Sequence, residues 1–149
     1  MAPFVTLCSA TLIARLAGLA GIDYVGTWVE AVAVGLAVMF TLTGLAHFAP
    51  AKREGLIAIV PPALPHPQLL VTVTGLMELA GAVALLVPSG LVRNVAASAL
   101  VVLLLAVFPA NVHAARERRS ATAPATPLGR RTALQGVFLS AASYVALCA

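Results

Sequence analysis

Long uncharged runs separated by short charged clusters dominate the pattern along this chain. No charged residue falls between Glu30 and Lys52, between Arg93 and Arg116, or after Arg131. A fourth apolar stretch, Leu69 to Val87, is interrupted only by Glu78 at its centre, with nine uncharged residues on either side. A helix that crosses a bilayer needs about 20 mostly apolar residues. The pattern therefore predicts an all-α polytopic membrane bundle in a single domain. Its four core transmembrane helices lie over residues 28–48, 69–87, 91–112 and 132–147. Residues 3–22 are apolar apart from Arg15 and lack the basic start of a signal peptide. They predict a fifth, N-terminal span with Arg15 reaching toward the nearer interface, the alternative being a helix that lies in the interface.

The connections carry their own signals. Residues 22–29 form a short turn holding Asp23, Tyr24, Gly26 and Trp28, with the two aromatics placed as in an interfacial belt. Residues 49–67 open with charges, run apolar through Leu56 to Val60, and end with Pro61, Pro62, Pro65 and Pro67. The prolines forbid a regular helix, yet the aliphatic side chains would not remain in water. A re-entrant or interfacial loop satisfies both facts. Irregular backbone at membrane depth must line a cavity or be buried in protein, so this loop is expected to cover a pocket. Residues 113–131 read as a basic loop. Within residues 28–48, Ala33, Ala37, Thr41, Gly44 and His47 recur at helical spacing and predict a small-residue packing face.

Composition sharpens the membrane reading. Hydrophobic residues make up 61% of the chain, charged residues 9%, and the mean hydropathy is +1.03. Soluble domains carry about 25% charged residues. The net charge of +4 would suggest nucleic acid in a soluble protein. Here no basic helix is interleaved with stacking aromatics, which argues against it. The charge is better read as topology. Seven basic residues (Lys52, Arg53, Arg116, Arg118, Arg119, Arg130 and Arg131) fall on one side of the core spans, against Arg15 and Arg93 on the other. The side with the excess, holding the Pro-rich and Arg-rich loops, is expected to be cytoplasmic.

That orientation gathers polar residues at one end of the bundle. His47 closes its span there, Asn111 and His113 close theirs, and Gln135 opens the last one. Glu78 lies deeper in the same direction. An ionisable group in mid-bilayer is a functional-site hypothesis by default. The candidate pocket is therefore Glu78, His47, Asn111, Gln135 and His113, covered by a loop with Arg53, Pro61, Pro62 and Pro65. Duller roles compete: His47 as an interfacial histidine, His113 as a solvated one, Asn111 as a cap where Pro109 disturbs its helix, and Glu78 as a hydrogen-bonded structural carboxyl. Haem ligation by His47 and His113 is a weak alternative. Ser/His/Asp arrangements, phosphate loops and metalloprotease motifs are absent from the sequence. Cys8 and Cys148 form no C-x-x-C pair, and sequence does not say whether they meet.

Four blocks carry a family resemblance: G-L-A-H-F at 44–48, V-P-P-A-L-P at 60–65, V-T-G-L-M-E-L-A-G-A at 73–82 and V-F-P-A-N-V-H at 107–113. In order and spacing they resemble the DoxX-like family of small bacterial membrane proteins, from about Gly35 onward. The resemblance implies a four-helix core in a bacterial plasma membrane and association with a redox or quinone-linked system. It implies a quinone as the ligand to test and a redox enzyme or a second copy as partner. It also points to His47, Pro61, Pro62, Pro65, Glu78, Pro109 and Asn111 as shared positions. The redox cysteines of some relatives are missing here. An accessory subunit without catalysis of its own is the expected function. Proton or small-molecule transport and a membrane scaffold or assembly role are the alternatives.

Overall fold

The computed structural model describes residues 1–116 and 127–149. Among these residues there is no strand. Six α-helices follow in order: α1 (Ala2–Leu19), α2 (Trp28–Ala46), α3 (Pro50–Ala58), α4 (Pro67–Leu85), α5 (Gly90–Arg116) and α6 (Leu128–Cys148), with one 3-10 turn at Asp23–Val25. Helices α1, α2, α4 and α5 are long and apolar enough to cross a membrane. Helix α6 is long enough, but Arg130, Arg131 and Gln135 dilute its apolar character and it falls outside that set.

Four helices close a ring. Helix α2 packs on α4, α4 on α5, α5 on α6, and α6 returns to α2. Helix α1 lies outside the ring against α2. The core runs along the ring's axis through Leu36, Met39, Phe40, Leu85, Leu100 and Val145, each buried almost completely. Outward-facing side chains are themselves apolar, among them Leu12, Ile13, Leu16, Leu76, Val83, Val102 and Leu105. A surface of this kind suits hydrocarbon rather than water.

Helix starts follow the sequence. Thr27 caps α2 with its hydroxyl toward the Glu30 backbone N–H, and the Glu30 carboxylate accepts from the Thr27 N–H at 2.8 Å. This reciprocal pair is a capping box. Pro50 and Pro67 open α3 and α4 at first-turn positions, where a missing N–H costs nothing. His66, ahead of Pro67, takes a left-handed conformation (φ 52°) and reverses the chain sharply into α4.

Several boundaries differ from the sequence expectation. The segment 49–67 is only half loop. Lys52, Arg53 and Glu54 sit in a nine-residue helix, and the irregular part begins after Ala58, where the prolines gather. Helix α4 starts at Pro67, two residues early. Helix α5 runs to Arg116, so Asn111 and His113 lie within a helix rather than at its end. The basic loop 113–131 thereby loses both flanks to helices, and its centre, residues 117–126 with Arg118 and Arg119, lies outside the described residues. The stripe on α2 is also off by part of its face. Ala33, Ala37 and Gly44 are buried, but Thr41 is exposed and Thr43 turns inward instead. Arg15 extends toward the turn that follows α1. It donates to the Gly26 carbonyl at 2.9 Å and lies 5.4 Å from the Trp28 ring centre. Cys8 and Cys148 are both free and exposed.

Candidate functional site

Glycine sets the site's geometry. Helices α2 and α4 meet where Gly44 and Gly75 face one another's helix. A Cβ on Gly75 would stand 2.6 Å from the His47 Cβ, and one on Gly44 would stand 2.8 Å from Leu79 Cγ. Small residues let backbones approach this closely. The approach brings Glu78, one turn beyond Gly75, against the last turn of α2. There the Glu78 Oε2 lies 2.6 Å from the Thr43 hydroxyl and 4.0 Å from His47 Nδ1.

His47 is oriented by its own helix. Its Nδ1 lies 2.8 Å from the Thr43 carbonyl oxygen, which can only accept, so Nδ1 carries the hydrogen. The same turn of α2 thus supplies a carbonyl to His47 and a hydroxyl to Glu78. Thr43 links the imidazole and the carboxyl at the base of the site.

The opposite wall is built around a proline. Pro109 lies inside α5 and cannot donate to the carbonyl one turn earlier. Beside that gap, Gln135 of α6 donates from Nε2 to the Leu104 carbonyl at 2.6 Å. Gln135 Oε1 accepts from Asn111 Nδ2, and Asn111 Oδ1 accepts from Arg131 Nη1, both at a long 3.4 Å. These partners fix which way both amides face, because a carbonyl must receive a hydrogen and a guanidinium must give one.

Between the two walls lies a cavity of about 370 Å³. Glu78, His47, Asn111 and Gln135 all line it, together with Thr43, Thr74 and a majority of apolar side chains that include Phe40 and Phe138. Its roof is the end of α3 and the turn after it: Leu56, Ile59, Val60, Pro61 and Leu64. Volume and lining fall in the range of small-molecule sites, mostly apolar with a few placed polar groups. Arg53 anchors the roof. It donates to the His47 carbonyl at 2.9 Å, the Thr72 hydroxyl at 2.9 Å and the Gln68 carbonyl at 3.2 Å, tying α3 to both α2 and α4.

Four of the five residues expected to form a pocket are therefore brought together. His113 is not among the lining residues, so His47 and His113 do not share the cavity. Of the expected roof residues, Pro61 lines the cavity, Arg53 holds the roof from outside, and Pro62 and Pro65 do not reach it. Thr43 is the residue that sequence reasoning missed. Its position one turn before His47, on the same helix face, is the signal that could have found it. Among the described residues no group of three or more His, Cys, Asp or Glu side chains comes together as a metal site.

The Glu78 residue is 9% exposed, and its Oε1 has no protein partner among the described residues. A carboxyl oxygen without a hydrogen-bond partner, on a buried residue that lines an apolar cavity, is the strongest sign here of a binding function.

Comparison with known proteins gives one relationship. No curated protein and no solved structure matches the chain. A family described as a domain of unknown function, DUF8561, matches residues 36–146, which begins inside α2, ends inside α6 and leaves α1 outside. The chain belongs to that family of unknown function.

Proposed function

We propose that this protein is a membrane-embedded binding subunit that holds an apolar molecule with a small polar head and serves a redox or quinone-linked membrane system. The open oxygen of Glu78 inside the 370 Å³ cavity carries this reading. An engineered apolar cavity of about 150 Å³ already accepts a benzene ring, so a ring with substituents fits the space here. A quinone-type head would sit against Glu78, with Asn111 across the cavity and Phe40 and Phe138 against its faces. Such a group, when bound, supplies two-electron chemistry. The residues of this chain bind and orient it and exclude water, and no catalysis of its own is assigned to the protein. The four sequence blocks that resemble the DoxX-like family support a redox setting. The excess of Lys and Arg at the cavity end supports a cytoplasmic opening in a bacterial plasma membrane.

A second reading is proton or small-molecule transport. It draws on the His47 imidazole 4.0 Å from the Glu78 carboxyl, which also accepts from the Thr43 hydroxyl. Proton flux into liposomes that disappears in Glu78→Gln would favour it over the binding-subunit reading.

The test is mass spectrometry of apolar compounds extracted from gently purified protein, wild type beside Glu78→Gln. The expected result is a ring compound that accompanies the wild type and is depleted rather than abolished in the variant, whose amide can still pair with part of the head group. Two empty preparations of equal stability would defeat the proposal.

A further inference from the structure

We infer that the cavity selects a head group that donates a hydrogen bond, a ring hydroxyl of the phenol or hydroquinone class, over a carbonyl or an ether of the same shape. The inference rests on the binding reading above and specifies its ligand. It follows from which valences the protein leaves open.

The Thr43 hydroxyl donates to Glu78 Oε2 at 2.6 Å, the length of a hydroxyl bond to a carboxylate, and Oε1 of that carboxylate is left to accept. Thr43 thereby holds the carboxyl with an accepting oxygen for the cavity. The rest of the wall formed by α2 and α4 has the same polarity. His47 spends its Nδ1 hydrogen on the Thr43 carbonyl, so a neutral imidazole has only the accepting Nε2 left. Thr74 directs its hydroxyl to backbone carbonyls at 2.9 Å and 3.1 Å.

The α5 wall has the opposite polarity. Arg131 occupies Asn111 Oδ1 and Gln135 occupies one Asn111 N–H, which leaves the second N–H as a donor. Gln135 is engaged at both ends. A hydroquinone serves both poles, because one hydroxyl donates to Glu78 and the oxygen of the other accepts from Asn111. A dione serves Asn111 but sets a carbonyl oxygen against Glu78 Oε1. Two acceptors face to face leave a buried polar group unpaired.

The experiment is equilibrium binding of three non-covalent probes to the detergent-purified full chain, by titration calorimetry or native mass spectrometry. The probes are para-decylphenol, para-decylanisole and decyl-para-benzoquinone. The phenol should bind roughly tenfold more tightly than the other two, the effect of one hydrogen bond in a dry site. In Glu78→Gln the amide can turn its N–H toward the ligand, and the gap should shrink to about twofold as the benzoquinone gains. If that variant does not fold, the wild-type series decides alone. Equal binding of all three, or tighter binding of the benzoquinone, overturns the inference and leaves the pocket reading standing. Tighter binding of decylammonium than of decylphenol also overturns it, since charge would then be what the site reads. Failure of every probe to bind defeats both.

Discussion

Two buried ionisable residues, Arg93 at one end of the bundle and Glu78 midway along it beside the cavity, have met opposite fates. Arg93 is 7% exposed and donates from Nε to the Leu85 carbonyl at 3.2 Å, where α4 ends. A cation there completes a helix C-terminus whose carbonyls lack partners and whose dipole favours positive charge. Its neighbours are used in the same way. The Tyr24 hydroxyl donates to the Leu86 carbonyl, Arg15 donates to the Gly26 carbonyl, and Thr27 and Glu30 cap α2. Asn94 Oδ1 is an exception, buried there without a partner. At the cavity, Glu78 has a partner for one oxygen and open space for the other. Burial alone does not separate a structural charge from a functional one. What each side chain faces does: Glu78 lines the cavity and Arg93 does not.

The comparison is tested most severely at Arg93. Arg93→Ala should leave the Leu85 carbonyl unpaired and a void beneath the α4–α5 turn, costing roughly 2 to 4 kcal/mol. Thermal unfolding in detergent would read the loss. At temperatures where the variant is folded it should bind decylphenol as the wild type does, and a selective loss of binding would erase the distinction between the two residues. Gly75→Val comes next. Its Cβ would meet His47 Cβ at 2.6 Å, and helix backbones cannot yield as a flexible side chain can. Overpacking of this kind costs about 1 to 3 kcal/mol. Here stability and binding should fall together, because the same contact places Glu78 beside Thr43. Full binding in Gly75→Val would mean that the close approach does not set the site.

Arg53→Ala should have a smaller effect on stability, about 1 kcal/mol, since its hydrogen bonds lie at a part-buried edge. It should act on kinetics instead. With α3 released from α2 and α4, ligand dissociation measured by stopped flow should speed by several-fold while the equilibrium preference for a hydroxyl persists. An unchanged off-rate would remove the roof from the path of exchange.

How much of this was written in the sequence depends on the range of the interaction. The helices were legible because each is a local run of apolar residues punctuated by proline, glycine or charge. The T-W-V-E capping box at 27–30 is equally local, although it does not stand out in an apolar chain. Glu78, His47, Asn111 and Gln135 were legible as polar residues in places where polarity is expensive. Their hydrogen-bond valences were not, because these depend on pairs 35 residues apart for Thr43 and Glu78 and 31 apart for Leu104 and Gln135. Helix α3 was hidden by the prolines that follow it. They end the helix after Ala58 rather than preventing it, and Pro50 at the first turn marks where it begins. Helix α1 shows the limit of periodicity. Its length was evident, but its place outside the ring comes from the Gly35 contact with Thr11 and Leu7, which no spacing on α1 announces.

Glu78→Gln should have the smallest effect on stability and thereby separates the two residues most finely. Glutamine keeps the length and shape of glutamate and can still pair with the Thr43 hydroxyl through its oxygen or its amide. It also removes the need to bury a carboxyl that has only one firm partner. Unfolding should therefore shift by less than about 1 kcal/mol in either direction, against the several expected for Arg93→Ala. The corresponding change at Arg93, Arg93→Gln, shortens the side chain and removes the charge that the α4 carbonyls attract, so an amide there should still destabilise. A conservative amide harmless at 78 and harmful at 93 would establish that Glu78 is held in place for something outside the protein's own fold. Equal losses at both positions would make Glu78 one more internal strut, and the cavity beside it a packing defect.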